Sequence, residues 1–314
     1  MTTRVYLNPG ATYGTGQERW KGVQSALAER LGTFAVEELP PQGREATGAL
    51  RRSLGTALER GVRRFVAAGG DGTVNLLVNA LMSLPDTTGV ALGAVGLGSS
   101  NDFHKPFDAD ATVDGMPLSV DFEQASPRDV IRIDHSERGV GESVRYAIVN
   151  ASIGVTAEAN AAFNEPNALV RAARTLSMDA AISAAVLTTL LTYRNIDCAL
   201  ATDDARAETV SVTNISAFKN PHFGGTLCYD TEVGRDDGLL GVALCEEMNR
   251  LETMRTLSAL RRCSFTGRKG TRSWKASRLT VEAARSFALE TDGETVRADS
   301  AAFRISERKI ACCR

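Results

Sequence analysis

The sequence has 314 residues, of which 43% are hydrophobic and 24% are charged, and its formal net charge is −2. This length allows two domains and a sizeable core, and the composition is ordinary for a globular protein. The small negative charge excludes a globally basic nucleic-acid-binding protein, so we expect no nucleic-acid partner. The N-terminal MTTRVYLNPG has no apolar signal core, and no apolar segment is long enough for a membrane span. We therefore expect a cytoplasmic protein with at most peripheral membrane contact.

The six cysteines and three histidines are too scattered to suggest a metal cluster. No C-x-x-C spacing occurs, so neither a zinc site nor a redox motif is expected. Cys312 and Cys313 are interpreted as an incidental pair at a mobile terminus.

The first hundred residues alternate between strand and helix patterns. The predicted strands are residues 4–8, 34–39, 63–68 and 90–95, and the predicted helices are residues 16–31, 44–59 and a third that ends near Leu84. This alternation predicts a Rossmann-like parallel sheet with helices on both faces. Ligands bind such sheets at the carboxyl ends of the strands.

From about residue 117 the pattern changes to short alternating runs separated by turns, which is typical of an antiparallel sandwich. Helical stretches interrupt this region at about residues 169–193 and 250–261. We expect an α/β domain over residues 1–116 and a mainly β domain over residues 117–314. As an alternative, the last residues pack back on the first domain.

The stretch AAGGDGTVNLL (67–77) places three glycines around Asp71, directly between a strand and a helix. One interpretation is a tight turn, in which glycine tolerates positive φ and Thr73 caps the helix. The other is a phosphate cradle, in which backbone N–H groups and the helix N-terminus face the anion and a carboxylate holds Mg²⁺.

Two further polar loops follow predicted strands. NPGATYGTG (8–16) follows the first, and GLGSSNDFHKPF (96–107) follows the fourth. Neither matches the dinucleotide fingerprint or the P-loop, and each alone is a weak signal. Because all three loops follow strands of one predicted parallel sheet, they would gather along one edge, which favours the phosphate interpretation.

Together these loops resemble the catalytic domain of the diacylglycerol kinase family, which includes sphingosine kinases and bacterial soluble lipid kinases. RIDH (132–135), VNASIGVTAE (149–158), FGGTLCYDTEVGRDDGLLGV (223–242) and LETDGETV (289–296) continue the resemblance in the family's order. It implies an NAD kinase- or diacylglycerol kinase-like first domain, a β domain for the lipid substrate, and ATP and Mg²⁺ as cofactors. The nucleotide-binding residues it implies are Asn8, Pro9, Gly69, Gly70, Asp71, Gly72, Thr73, Asn75, Gly98, Ser99, Asn101 and Asp102.

The sequence departs from the family's pattern at several positions. Leu76 stands where the family usually has an acidic residue, Gly96 replaces a proline, and Ser99 replaces a threonine but keeps the hydroxyl. The threonine common after the second strand is not evident at Leu39-Pro40. The missing acid bears on how metal and substrate are held.

The stretch ETDGET (290–295) is a strong hairpin signal when considered alone, because Asp-Gly favours a two-residue turn. The resemblance implies that Asp292 is the general base, with Glu294 orienting it or sharing its role. An exchange of roles between Asp292 and Asp71 stays open. Asp237 is either part of a simple turn or, by the resemblance, a ligand of a structural Mg²⁺, while Asp71 would act on the Mg²⁺ of ATP.

The resemblance predicts an ATP-dependent kinase that transfers the γ-phosphate to a lipid hydroxyl such as that of diacylglycerol. A kinase of a water-soluble alcohol and a non-catalytic nucleotide-binding regulator are the alternatives, and a homodimer is left open. The basic run RRCSFTGRKGTRSWKASR (261–278) is either a membrane-docking segment or a solvated loop.

Overall fold

The structure is a computed structural model that describes residues 2–40, 44–106, 111–164, 168–176 and 178–314. Residue 107, at the end of the third loop, and residue 177, inside the predicted helical stretch, lie outside the described residues. The chain divides into two compact units. The first unit comprises residues 1–130, 222–226 and 306–314, and the second comprises residues 131–221 and 227–305.

The elements follow one another closely along the chain. The helices are α1 (Ala11–Gly14), α2 (Gly16–Leu31), α3 (Arg44–Glu59), α4 (Asp71–Met82), α5 (Val155–Asn164), α6 (Ala168–Leu176), α7 (Met178–Thr192) and α8 (Arg250–Leu260), with a 3₁₀ turn at Asp102–His104. The strands are β1 (Thr3–Leu7), β2 (Phe34–Glu38), β3 (Arg64–Gly69), β4 (Ala91–Gly96), β5 (Thr112–Val113), β6 (Met116–Ser119), β7 (Ser126–Arg128), β8 (Ile131–Glu137), β9 (Gly141–Ala147), β10 (Asn150–Gly154), β11 (Ile196–Thr202), β12 (Glu208–Phe218), β13 (His222–Phe223), β14 (Leu227–Cys228), β15 (Leu240–Glu246), β16 (Thr271–Ala276), β17 (Arg278–Thr291), β18 (Glu294–Ile305) and β19 (Ile310–Cys312).

The first unit is built on a sheet of order β2-β1-β3-β4-β19-β7, in which β1 to β4 and β19 run parallel. Apolar residues alternate on β1 and β3, and they pack against the apolar stripe of α2 that contains Trp20, Val23 and Leu27. The predicted α/β architecture is confirmed. The carboxyl ends of β1, β3 and β4 are neighbours, so the loops that follow them lie side by side.

The second unit is an antiparallel sheet of order β16-β15-β12-β10-β17-β18-β8-β9, with β11 also paired to β12 and β17. Its core contains Ile131, Ile215, Leu244, Phe287 and Phe303. The predicted mainly β domain is confirmed. Helices α6 and α7 cover the predicted helical stretch, α8 matches the second one, and α5 was missed.

The division of the chain differs from the expected boundary at residue 116. Strands β6 and β7 belong to the first sheet, so the first unit continues to Val130. The C-terminal segment returns to that unit, where β19 pairs in parallel with β4. Cys312 and Cys313 are both buried, so the expectation of a mobile terminus was wrong.

Cys228 and Cys263 form a disulfide within the second unit. Their sequence separation is 35 residues, so a search for short cysteine spacings does not find the pair. Among the described residues, none of the helices is both long and apolar enough to cross a bilayer.

Candidate nucleotide and acceptor sites

The three glycine-bearing loops of the first unit are joined by direct hydrogen bonds. Asn8 Nδ2 donates to Thr73 Oγ1 at 3.1 Å, which links the loop after β1 to the start of α4. The backbone N–H of Leu97 donates to the carbonyl of Gly69 at 2.9 Å, which links the loops after β3 and β4. The sequence-predicted gathering of these loops at one sheet edge is therefore present.

Close packing leaves no room for a Cβ at several glycines of these loops. Gly70 has a φ of −92°, and neither Gly69 nor Gly72 has a positive φ. A Cβ on Gly98 would lie closer than 3.0 Å to the Cα of Gly70, and a Cβ on Gly69 would meet the side chain of Thr73 equally closely. The tight-turn interpretation, in which these glycines supply positive φ, is therefore not supported, and Gly70 and Gly98 instead let two backbones touch.

Asp71 is the first residue of α4 and is partly exposed. Its Oδ1 accepts the backbone N–H of Phe103 at 2.8 Å, so it also ties the third loop to the helix N-terminus. The N-cap of α4 is Gly70, without a side-chain cap bond, and Thr73 lies inside the helix. Thr73 therefore does not cap the helix as its sequence position suggested.

Asn101 organises the loop after β4 from inside. Its backbone is left-handed, with φ 51° and ψ 41°, a conformation that asparagine tolerates better than most residues. Its side chain accepts the N–H of Gly98 at 3.0 Å and donates to the carbonyls of Gly96 and Gly98. The amide thus holds the loop shape that exposes Ser99.

The remaining predicted nucleotide-binding residues lie on the same edge. Pro9 follows β1 and is partly exposed, and Gly72 lies partly exposed in the first turn of α4. Asn75 is buried in α4, where its Oδ1 accepts the Nδ2 of Asn79 at 3.0 Å. Asn75 therefore supports the helix from within.

Asp102 and Lys105 form a buried ion pair at 2.7 Å. Asp102 also accepts the N–H of Gly225 at 3.1 Å, and Lys105 donates to the carbonyl of the same residue. The segment at residues 222–226, which belongs to the first unit, is thereby fastened to the third loop. Sequence reasoning missed Lys105, although its position three residues after Asp102 in a short helical turn was a usable signal.

Arg19 is a second basic residue that the sequence analysis missed. It lies on α2, and its guanidinium donates to Thr12 Oγ1 at 3.0 Å and to the carbonyl of Gly98 at 3.1 Å. It therefore brings positive charge to the point where the first and third loops meet. The sequence GQER at the start of α2 contained the arginine, but nothing in it indicated which way the side chain points.

His104 is buried beside these loops, and its Nδ1 is 2.9 Å from Ser119 Oγ. Burial, assisted by the positive charge of Arg128, lowers the pKa of this imidazole to about 3. The ring is neutral at neutral pH, and its role is structural packing against Phe103.

In the second unit, Asp292 and Gly293 form the two-residue turn between β17 and β18, with φ values of 46° and 96°. The predicted hairpin is confirmed, since two successive positive φ angles are the mark of a type I′ turn. The Asp292 carboxylate is buried and accepts three consecutive backbone N–H groups, those of Ile148, Val149 and Asn150, at 2.8, 3.0 and 2.8 Å.

Glu290 is a second buried carboxylate next to this turn, and the sequence analysis did not single it out. One of its oxygens accepts the N–H of Gly293 at 2.5 Å, and the other accepts Ser152 Oγ at 2.8 Å. A hydrogen-bonded chain continues from Ser152 through Thr156 to Asn214. The turn is therefore held on two sides, while Glu294 is partly exposed.

Asp237 is bound by protein donors. Lys219, itself buried, donates to Oδ1 at 2.7 Å, and the N–H groups of Gly234 and Leu239 donate at 3.0 and 3.1 Å. Burial raises the pKa of Asp237, but the bonds from Lys219 and the backbone outweigh it and lower the pKa to about 2. Within the described ranges there is no group of three His, Cys, Asp or Glu residues that could hold a metal. Asp237 is thus held in an ion pair with Lys219, and its role as a Mg²⁺ ligand, which the resemblance implies, stays a prediction.

The basic run 261–278 is less available than its sequence suggests. Phe265 is buried against Tyr229, and Trp274 packs against the core of the second unit. Lys269 pairs with Glu252 at 2.7 Å, and Arg272 pairs with two further glutamates. Of the two aromatic side chains, Phe265 is therefore buried and Trp274 is only partly exposed.

The described fold agrees with comparisons to known protein families. The "Diacylglycerol kinase catalytic domain" family model matches residues 2–133, and the "YegS C-terminal NAD kinase beta sandwich-like domain" model matches residues 149–312. Since the second model alone spans more than half of the sequence, the chain belongs to the YegS-like diacylglycerol kinase family of lipid kinases.

Individual relatives match over shorter stretches. The chain is 55% identical over 47 residues to a "Probable lipid kinase YegS-like" of Chromohalobacter salexigens, which is 15% of each chain. It is 36% identical over 74 residues to a protein of the same name from Yersinia enterocolitica, which is 24% of this chain and 23% of that protein. The crystal structure of a diacylglycerol kinase from Bacillus anthracis superposes with a TM-score of 0.65 and 14% identity, over 99% of this chain and 96% of that chain. This superposition supports the fold.

Proposed function

We propose that the protein is an ATP-dependent kinase that transfers the γ-phosphate to the hydroxyl of a lipid, with diacylglycerol as the leading candidate. The observation that carries the proposal is the first unit's set of three loops, joined at the ends of β1, β3 and β4 around the N-terminus of α4. A helix N-terminus with converging backbone N–H groups is a general anion site. Membership of the lipid kinase family supports the choice of acceptor class.

Asp71 is proposed to bind the Mg²⁺ of ATP, directly or through water. The fit is chemical: Asp71 is a partly exposed carboxylate at the helix N-terminus, and Mg²⁺ in kinases is held by one or two carboxylates and the substrate phosphates. When bound, the ion neutralises charge on the β- and γ-phosphates. The contact from Phe103 N–H fixes the orientation of the Asp71 carboxylate in advance.

The reaction needs one proton acceptor. The hydroxyl oxygen forms a bond to the γ-phosphorus, the bond from that phosphorus to the β–γ bridging oxygen breaks, and ADP leaves. The hydroxyl proton passes to a carboxylate, for which we propose Asp292, with Glu294 orienting it or sharing the role. An exchange of roles with Asp71 remains the alternative assignment, and the acceptor assignment rests on the family resemblance.

Purified protein incubated with radiolabelled ATP, Mg²⁺ and a panel of micellar lipids and water-soluble alcohols tests the proposal. We expect label to appear in a lipid, and we expect Asp71→Asn to remove it. Asp86→Asn is the matched control, because Asp86 is an exposed carboxylate in the same unit whose Oδ1 accepts the N–H of Thr88, a bond that asparagine keeps.

Three other outcomes contradict parts of the proposal. Phosphorylation of soluble alcohols alone would replace the lipid acceptor by a small one. Nucleotide binding without turnover would indicate a non-catalytic regulator. The sequence feature that supports this alternative is Leu76, which stands where the family usually has an acidic residue. Full turnover by a folded Asp71→Asn protein would remove Asp71 from the mechanism.

A further inference from the structure

The second unit exposes four large apolar side chains on two helices. Leu187 and Leu191 lie on α7, Leu251 and Met254 lie on α8, and each is 53–55% exposed. A single exposed leucine is ordinary, but a local group of large apolar side chains marks an interaction surface.

On α7 the two leucines are opposite the packed face. Ala181, Ala185 and Thr189 form a buried stripe at intervals of four residues. Leu187 and Leu191 are also four residues apart but are offset from that stripe by two residues, about half a turn of helix. They therefore point away from the unit.

On α8, too, the exposed apolar side chains lie on the face opposite the buried one. Thr256, Ala259 and Leu260 are the buried residues, and the capping box of Asn249 and Glu252 fixes where the helix begins. Leu251 and Met254 are three residues apart, so they share the outer face, together with the exposed Arg255.

The exposed pairs are brought together at the junction of the two helices. The guanidinium of Arg250 donates to the carbonyl of Leu191, and Asn195 Nδ2 donates to the carbonyl of Met248 at 3.3 Å. The last turn of α7 therefore lies beside the first turn of α8. We refer to Leu187, Leu191, Leu251 and Met254 as the α7–α8 patch.

Positive charge lies along α8 beside this patch. Arg250, Arg255, Arg261 and Arg262 are all exposed on α8 or at its end. Between residues 247 and 262 the acids are Glu252, which binds Lys269 and caps the helix, and the exposed Glu247. Apolar side chains with surrounding arginines complement the acyl chains and headgroups of an anionic bilayer.

We propose that the α7–α8 patch docks the protein on an anionic lipid bilayer. The inference deepens the proposed function and rests on it for its purpose, since a lipid hydroxyl must be reached at a membrane surface. It places the apolar contact with the bilayer on α7 and α8, and it uses Arg261 and Arg262 at the start of the basic run 261–278. Within that run Phe265 is buried and Trp274 packs against the core of the second unit.

Sedimentation with phosphatidylcholine vesicles, with and without phosphatidylglycerol, tests the proposal. Two double variants, Leu187→Gln/Leu191→Gln and Leu251→Gln/Met254→Gln, remove apolar surface while keeping exposed positions exposed. Each is expected to lower binding to the anionic vesicles by about tenfold or more, from the transfer free energy of the lost side chains. Val140→Gln is the matched control, because Val140 is 75% exposed on the β8–β9 turn of the same unit.

Unchanged vesicle binding by both double variants would overturn the proposal. An equal loss in Val140→Gln would also overturn it, because the effect would then not be specific to the patch. A change in oligomeric state by size-exclusion chromatography, with vesicle binding intact, would make the patch a contact between two copies instead.

A separate assay keeps this inference distinct from the proposed function. Activity on a short-chain acceptor below its micelle concentration does not need a membrane, so the double variants should keep wild-type rates there. Vesicle binding by a wild-type protein that phosphorylates no lipid would refute the proposed function and leave the docking surface standing. If lipid is phosphorylated normally and the double variants bind vesicles as well as the wild type does, the docking surface is refuted and the proposed function stands.

Discussion

Asp292→Asn separates a structural from a chemical role of the turn between β17 and β18. Asparagine suits the first position of a type I′ turn, so the turn itself tolerates the change. The carboxylate, however, accepts three N–H groups from residues 148–150. The substituted side chain would keep one oxygen acceptor and place an amide NH₂ against a backbone donor.

The magnitude follows from these contacts. Oδ2 accepts Ile148 N–H, so its replacement by NH₂ removes that bond to a charged group, worth about 1.5–3 kcal/mol. The two bonds that remain on Oδ1 become neutral and weaker. We expect a loss of about 2–4 kcal/mol in the stability of the second unit, which corresponds to roughly 4–16 °C in its melting temperature.

Thermal unfolding followed by circular dichroism measures this loss, and amide hydrogen exchange locates it. Exchange at Ile148, Val149 and Asn150 should speed up, while amides in β1 and β3 of the first unit stay protected. Glu294→Gln is the matched control, since Glu294 is a partly exposed carboxylate two residues away. It should leave the melting temperature nearly unchanged.

Kinetics at a temperature where both proteins are folded then tests the chemical role. A base that cannot take a proton lowers kcat by a factor of roughly 10²–10⁴ without changing ATP affinity. A melting temperature within about 1 °C of wild type and unchanged exchange at residues 148–150 would refute the structural reasoning. Retention of more than about a tenth of kcat would refute the base assignment.

Three further predictions concern the first unit. Asp71→Asn should lower turnover by about 100-fold or more and leave the fold intact, because asparagine can still accept Phe103 N–H; activity and circular dichroism together check this. The pKa of His104 falls from 6.5 to about 3 on folding, so its contribution to stability is fully present above pH 6.5 and is lost as the pH falls. The free energy of unfolding, measured in urea, should therefore be about 2–3 kcal/mol lower at pH 4.5 than at pH 7. The variant His104→Gln should abolish that difference. Gly98→Ala should push apart the loops after β3 and β4 and weaken ATP binding, which calorimetry measures. Its control is Gly55→Ala on α3, where the added methyl group enters open space and should stabilise the protein by about 0.5–1 kcal/mol.

Local patterns along the sequence were sufficient for most elements. Helices α2 and α3 and strands β1 to β4 lie within a residue or two of their predicted bounds, because 3.6-residue and two-residue periodicities are properties of short segments. The type I′ turn at Asp292 and the gathering of the loops at one sheet edge follow from the same local reasoning. The order of motifs also identified the family before any contact was known.

Only the tertiary structure decided what those residues do. The contact between Gly70 and Gly98 explains both glycines, and it joins residues 28 positions apart that no periodicity connects. Asp292 meets its three donors more than 140 residues away, and β19 joins β4 although more than 200 residues separate them in sequence. Such contacts depend on strand order and register, which arise when distant segments bury their apolar faces together. The hydrophobic pattern along the sequence does not specify which distant segments pair.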